Sequence, residues 1–220
     1  SEYKIYIIPD ANKMTEQAQN ALLKTIEEPP VYAIIILLTE NCDSLLPTIR
    51  SRCVTLTMNP IEKDKICTYL ENKFQLEPEQ AQIAANYCQG NIGKAIRFAS
   101  SSDFIEMKNQ VLKLLKNLDS MDIASIIDTI KEFSTHKNDI NDYLDLMLLW
   151  YRDVLMFKVT KDANLLLYSD EYSAISEQAT KRDYENIENI IAAIDKAKVR
   201  LKANVNFDVT IELMILAMKD

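Results

Sequence analysis

Lys4-Ile5-Tyr6-Ile7-Ile8-Pro9-Asp10 is the stretch that decides the fold class. It is a continuous apolar run that ends in an acid, which is the pattern of a strand buried on both faces of a parallel sheet. A helix is predicted next, over residues 16–28, because Thr15 is a good N-cap and Pro29-Pro30 cannot continue a helix. A strand followed at once by a helix indicates an α/β unit.

Two further apolar runs, residues 33–38 and 54–58, predict two more strands. They are joined by residues 45–53, which read Leu-Leu-Pro-Thr-Ile-Arg-Ser-Arg-Cys. Connectors beside the ends of buried strands often carry functional residues, because the strands hold them rigidly while the loop exposes them. Three strands and one helix leave both faces of a sheet under-covered, so we expect a further segment before residue 1.

Beyond Asn59-Pro60 the sequence pattern becomes helical. Three short amphipathic helices are predicted first, at residues 65–74, 79–89 and 92–100. Six more follow at residues 104–118, 121–133, 143–159, 171–179, 184–204 and 208–218. No catalytic group of residues is identifiable within 103–220, which favours a packing or oligomerisation module. The predicted fold class is therefore mainly α with a partial parallel α/β region.

Composition excludes several classes of site. Two glycines in 220 residues argue against any glycine-rich phosphate loop and against barrels. Four widely spaced cysteines and one histidine do not form a zinc pattern, so no metal site is expected. The acidic balance, a net charge of −8, argues against strong nucleic-acid binding by the chain itself. Without a signal peptide or a membrane-spanning run, we expect a cytoplasmic protein with no membrane partner.

Two motifs together carry a resemblance to a known family. They are Asn-Ala-Leu-Leu-Lys-Thr-Ile-Glu-Glu-Pro-Pro at residues 20–30 and Arg-Ser-Arg-Cys at residues 50–53. In this combination they resemble the bacterial clamp-loader branch of the AAA+ ATPases, and within it the delta-prime type of DNA polymerase III subunit. The resemblance implies the C-terminal part of a RecA-like AAA+ core (1–58), a helical lid (59–102) and an all-helical collar (103–220).

The same resemblance implies that the ATPase machinery is degenerate. Asp10 matches the metal-coordinating acid of the Walker B strand, but Ala11 occupies the place of the glutamate that polarises the attacking water. Thr39 lies at the sensor-1 position. Gly93 stands where active motor subunits carry the sensor-2 arginine, and Lys94 cannot replace it, because one residue along a helix turns the side chain by about 100°. We therefore expect no cofactor on this chain, and ATP and Mg²⁺ on the neighbouring subunit.

What the resemblance leaves active is Arg52, the arginine of Ser-Arg-Cys. In the family this residue is a finger that reaches the ATP site of the adjacent subunit. An arginine supplied in trans can be worth roughly 10³–10⁵ in rate, and a planar, permanently charged guanidinium suits the task better than lysine. The residues expected to support this interface are Ser51, Arg50, Lys24, Glu27 and Glu28. Glu27 and Glu28 lie at the C-terminal end of the predicted helix, where the helix dipole disfavours negative charge. Either these residues have a function, or an exposed helix end tolerates them at little cost.

The implied function is a non-catalytic stator of the DNA polymerase III clamp loader. Its expected partners are the gamma/tau and delta subunits, with the sliding clamp and primed DNA in the assembled complex. One alternative is a fragment of an active gamma/tau-type ATPase, against which Ala11 and Gly93 argue. Another is a helical interaction scaffold of a different pathway, in which the arginine loop is only structural. The sequence leaves open the order of neighbours in the ring and whether Arg50 or the Glu27-Glu28 pair acts at the interface.

Overall fold

The computed structural model describes residues 2–100 and 103–219. The chain divides into two compact units, Ser1–Asn59 and Pro60–Asp220. Helices dominate, and a small parallel sheet lies in the first unit, so the predicted fold class is confirmed. The three predicted domains stay a prediction, and the boundary expected after residue 102 falls beside Ser101 and Ser102, which lie outside the described residues.

The first unit is built on a parallel pair of strands. β1 (Lys4–Ile8) pairs with β2 (Ala33–Leu37) in a register that sets Lys4 against Ala33. Parallel strands need a long crossover connection, and α1 (Glu16–Glu27) supplies it. As predicted, Thr15 caps this helix: its hydroxyl oxygen accepts the N–H of Ala18 at 3.2 Å.

The predicted third strand, residues 54–58, does not form. Among the described residues the sheet has two strands, and Val54, Leu56 and Met58 are 90%, 82% and 92% exposed. A strand requires a neighbour whose backbone groups complete its hydrogen bonds. Within residues 2–100 and 103–219 no strand pairs with this run, so its apolar side chains lie in solvent.

Burial of the sheet on both faces was also a wrong expectation. Ile5, Ile7, Ile34 and Ile36 are exposed, because a continuous apolar run is buried only when other layers cover both of its faces. An apolar cavity of about 490 Å³ is lined by both strands and by Leu22 and Thr25 of α1. The under-covered sheet expected from the sequence is therefore present.

A short helix, α2 (Pro47–Arg50), lies in the connector that follows β2. Pro47 occupies its first turn, where the missing N–H is not needed. Leu45 and Ile49 are buried, and α2 packs against α1. These contacts hold the arginine-bearing segment on the body of the first unit.

The second unit is helical throughout its regular structure. Its helices are α3 (Lys63–Phe74), α4 (Pro78–Tyr87), α5 (Ile92–Ser100), α6 (Asp103–Asn117), α7 (Ile123–Thr135), α8 (Ile140–Thr160), α9 (Tyr172–Lys181), α10 (Tyr184–Lys202) and α11 (Phe207–Lys219). One hydrophobic core runs from Ile66 on α3 to Met218 on α11, with the fully buried Trp150 on α8. Within the described ranges, none of the helices combines the length and the apolar character that a membrane crossing requires.

Candidate functional site

The connector that carries the two arginines is anchored by a buried glutamine. Gln19 on α1 is 4% exposed, and its Oε1 accepts the N–H of Leu46 at 2.8 Å. Its Nε2 donates to the carbonyl oxygens of Met14 at 3.2 Å and Ser44 at 3.4 Å. The amide therefore joins α1 to the residues that lead directly into α2, and it limits where the arginines can lie.

Gln19 is a residue that the sequence reasoning missed. Ala18, Ala21 and Thr25 lie along one face of α1 and are exposed, whereas Gln19 is the buried residue of this helix. Its position three residues before the half-buried Leu22 was the available signal, because residues three apart share one face of a helix. A polar side chain at such a position indicates a buried hydrogen-bonding role.

Arg52 lies just beyond α2 and is held by three acceptors. Its Nη1 donates to the carbonyl oxygen of Thr48 at 3.0 Å and to Ser51 Oγ at 3.4 Å. Its Nη2 lies 2.8 Å from Glu27 Oε1, and its side chain is 39% exposed. The guanidinium is thus ordered at the surface, permanently charged, and chemically suited to bind an anionic oxygen.

Arg50 has different partners from Arg52. Its Nη1 lies 2.8 Å from Asp43 Oδ1, and both side chains are exposed. Ser51 donates its hydroxyl to the carbonyl oxygen of Thr48 at 3.2 Å, which places its Oγ beside Arg52. Burial raises the pKa of the neighbouring Cys53 thiol, so this group adds no negative charge beside the guanidinium at neutral pH.

The remaining predicted interface residues lie at the C-terminal end of α1. Of Lys24, Glu27 and Glu28, only Glu27 forms an ion pair with Arg52 in the described part of the chain. Lys24 and Glu28 are exposed, and in the described part of the chain neither side chain forms an ion pair. The structure therefore places Glu27 in contact with Arg52. Lys24 and Glu28, which are close to Glu27 in sequence, lie exposed on the surface.

In the first unit, the residues at the expected degenerate ATPase positions form hydrogen bonds or ion pairs with other groups of the same unit. Asp10 adopts a left-handed backbone conformation with φ 50° and pairs with Lys13 at 3.1 Å. Ala11 is fully buried, and its N–H donates to the carbonyl oxygen of Leu38 at 2.8 Å. Thr39 donates its hydroxyl to the carbonyl oxygen of Asn41 at 2.8 Å. The ATPase positions assigned to these residues stay predictions.

Gly93 lies on α5 in the second unit. A Cβ at this position would lie 3.4 Å from Asn91 Oδ1, an ordinary contact, so lack of space does not impose the glycine. The adjacent Lys94 is largely buried in ion pairs with Asp142 and Asp145. Its ammonium group is therefore already neutralised within its own chain.

A family profile described as "DNA polymerase III, delta subunit" matches residues 1–62. Several known proteins resemble this chain over more than two thirds of its length, and three of them illustrate the range. The DNA polymerase III subunit delta' of Bacillus subtilis (strain 168) is 33% identical, with 100% of this chain and 67% of that protein covered. Subunit tau of the same organism is 27% identical over 71% of this chain and 31% of that protein. A crystal structure of a DNA polymerase III gamma subunit-related protein from Thermotoga maritima aligns at 20% identity and a TM-score of 0.47, with 99% of this chain and 72% of that chain covered. The chain therefore spans only part of each relative.

Proposed function

This chain belongs to the family of the DNA polymerase III subunit delta', a clamp-loader subunit, and we propose that it donates Arg52 in trans to the ATP site of a neighbouring subunit. In this proposal it is a stator that takes part in loading the sliding clamp but hydrolyses no ATP itself. Its partners are gamma/tau and delta subunits, and primed DNA and the clamp meet it in the assembled complex.

The observation that carries the proposal is the setting of Arg52. Its guanidinium is partly exposed, yet the connector beneath it is anchored by Gln19 and by the fully buried Ile49. An arginine finger needs both properties, since it must reach another chain and must already be oriented when charge develops on the γ-phosphate. A loosely attached surface arginine would lose much of its effect to the entropy of ordering.

The absence of hydrolysis by this chain is supported by its own side chains. Ala11 has no group that could activate water, and its methyl side chain is buried. Gly93 has no side chain to contact a phosphate, and Lys94 is engaged by two aspartates. ATP and Mg²⁺ are therefore assigned to the neighbouring subunit, and residues 59–102 and 103–220 to a lid and a collar that assemble with it.

The test is Arg52→Ala in a clamp loader reconstituted from complete subunits. Hydrolysis at the ATP site that Arg52 faces should fall by roughly 10³–10⁵, and clamp loading on primed DNA should slow with it. Arg52→Lys should restore only part of the rate, because an ammonium group cannot donate in the planar, bidentate geometry of a guanidinium. Steady-state ATP turnover with clamp and primed DNA measures the effect.

Arg50→Ala is the matched comparison, since it removes a second exposed guanidinium from the same connector. Arg50 is paired with Asp43 rather than held at the position of Arg52, so its loss should cost less turnover than the loss of Arg52. Unchanged turnover in an intact loader that carries Arg52→Ala would show that Arg52 is not a finger.

A further inference from the structure

We propose that Glu27 is the intrachain counter-ion of Arg52 and restrains the finger until a phosphate of the neighbouring subunit's nucleotide displaces it, an inference that rests on the proposed function. Glu27 Oε1 lies 2.8 Å from Arg52 Nη2. Glu27 is the last residue of α1, whereas Arg52 follows α2, so the contact joins two elements rather than two positions of one helix.

Each arginine of the connector has its own acidic partner. Asp43 pairs with Arg50 and Glu27 pairs with Arg52. A carboxylate at the C-terminal end of a helix is disfavoured by the helix dipole, and the guanidinium of Arg52 offsets that effect at Glu27. The unfavourable placement of Glu27 on α1 is consistent with a role toward Arg52.

The pair is suited to an exchange of partners. The Arg52 and Glu27 side chains are 39% and 45% exposed, and ion pairs at such exposure are weak and readily separated. A nucleotide phosphate carries more negative charge than a carboxylate, and a guanidinium can bind it bidentately. A phosphate placed within reach of Arg52 therefore competes successfully with Glu27.

The carboxylate also reduces the catalytic effect of an arginine that it still contacts. A negative charge 2.8 Å from the guanidinium cancels much of the field that would stabilise charge on the γ-phosphate. Arg52 is fully effective only after the exchange, so Glu27 makes activation depend on correct placement of the neighbouring nucleotide. Glu27 acts through Arg52 and is a positioning residue.

The test is Glu27→Gln in a loader reconstituted from complete subunits, assayed for ATP turnover with and without clamp and primed DNA. Glutamine keeps the size of the side chain and removes its charge. Unstimulated turnover should rise about two- to five-fold, the factor that corresponds to loss of one exposed ion pair. The gain should appear in kcat with little change in KM for ATP, and it should shrink as salt screens the pair.

Glu16→Gln is the control, because it removes the same charge from the exposed first turn of α1, away from Arg52. It should leave turnover at the wild-type value. The double variant Glu27→Gln/Arg52→Ala should match Arg52→Ala alone, since the effect passes through the arginine.

The outcomes separate the two proposals. If Arg52→Ala lowers turnover while Glu27→Gln leaves it unchanged or lowers it, the restraint is wrong and the finger stands. If Arg52→Ala has no effect in an intact loader, the proposed function fails and this inference fails with it.

Discussion

At the residue scale, the position of the candidate finger depends on a side chain that does not touch it. The Gln19 amide offers both an acceptor and a donor, so it serves the N–H of Leu46 and the carbonyl of Ser44 together. An apolar side chain of similar volume could fill the space but would leave both backbone groups unpaired. Losing the hydrogen bonds of these partly buried backbone groups is costly, which makes Gln19 hard to replace.

Gln19→Ala should therefore loosen the connector without unfolding the chain. Protection of the Leu46 amide against hydrogen exchange should fall by roughly 1–3 kcal/mol, the cost of an unsatisfied buried group. Arg52-dependent turnover of the loader should fall as well. Gln17→Ala changes the same residue type on the exposed face of α1 and should alter protection by less than about 0.5 kcal/mol. Equal protection in the two variants would contradict the anchoring role.

At the element scale, α8 organises the second unit by fixing the segment that follows it. Asp153 on α8 is fully buried, and its Oδ2 accepts the N–H groups of Leu167 at 2.7 Å and Tyr168 at 2.8 Å. Its Oδ1 lies 2.7 Å from Arg152 Nη1. Burial raises the pKa of Asp153, while the backbone N–H groups and Arg152 favour the charged form. One carboxylate thus holds Tyr168 in the core against Trp150.

Asp153→Ala should destabilise the second unit strongly. The buried N–H of Tyr168 and the partly buried N–H of Leu167 lose their acceptor, and Arg152 loses its partner. The free energy of unfolding should therefore fall by roughly 2–4 kcal/mol. Urea denaturation followed by the fluorescence of Trp150 measures this directly. Asp128→Ala removes an exposed acid paired with Lys131 on α7 and should cost less than about 0.5 kcal/mol. Similar losses in the two variants would mean that Asp153 does not hold the segment.

At the scale of the whole molecule, the predicted lid and the predicted collar share one core and one ion cluster. Lys94 on α5 lies 2.9 Å from Asp142 Oδ1 and also pairs with Asp145, while Lys198 on α10 lies 2.5 Å from Asp145 Oδ1. Phe98 on α5 stacks on Phe104 of α6 with ring centroids 4.2 Å apart. The helices α5, α8 and α10 are therefore joined in the second unit, an arrangement that suits a rigid subunit.

The ion cluster predicts a pH-dependent stability. Burial acts to raise the pKa of Asp145, but the hydrogen bonds from Lys198 and Lys94 outweigh it and hold the pKa below its ordinary value. Because the folded value is the lower one, this contribution is present above the unfolded pKa of about 3.9 and is lost as pH falls through the folded pKa. Asp145→Asn should lower the free energy of unfolding at pH 7 by about 1.5–3 kcal/mol.

The difference between wild type and Asp145→Asn should shrink as the pH falls from about 4 through the folded pKa of Asp145, because the charge that the two lysines stabilise is then progressively lost. Denaturation monitored by Trp150 fluorescence at pH 7 and pH 3 checks this. Glu177→Gln, an exposed acid on α9, serves as the comparison and should show a small difference at both pH values. A constant difference for Asp145→Asn across the range would exclude the charged pairs as its cause.

The pattern of apolar residues along the sequence predicted most helices correctly but predicted one strand that does not form. The difference arises because helices are stabilised by neighbours in sequence, whereas strands need a distant partner. Helix α5 agrees with its predicted range of 92–100, and Thr15 caps α1, because helical hydrogen bonds and caps join residues close in sequence. The run 54–58 has the composition of a strand, but strand formation depends on a partner elsewhere in the fold. The exposed Ile5 and Ile7 of β1 follow the same principle, because burial depends on layers supplied by other segments.

The sequence by itself determined the family, through residues 20–30 and 50–53, and the predominance of helix, through periodicity and the scarcity of glycine. It also distinguished Arg52 as the candidate finger. Only the tertiary structure decided that Arg52 meets Glu27 while Arg50 meets Asp43, and that Gln19 holds the connector. These contacts join segments far apart in the chain, and a pattern read over neighbouring residues cannot specify which side chains meet once α1, β2 and α2 are packed together.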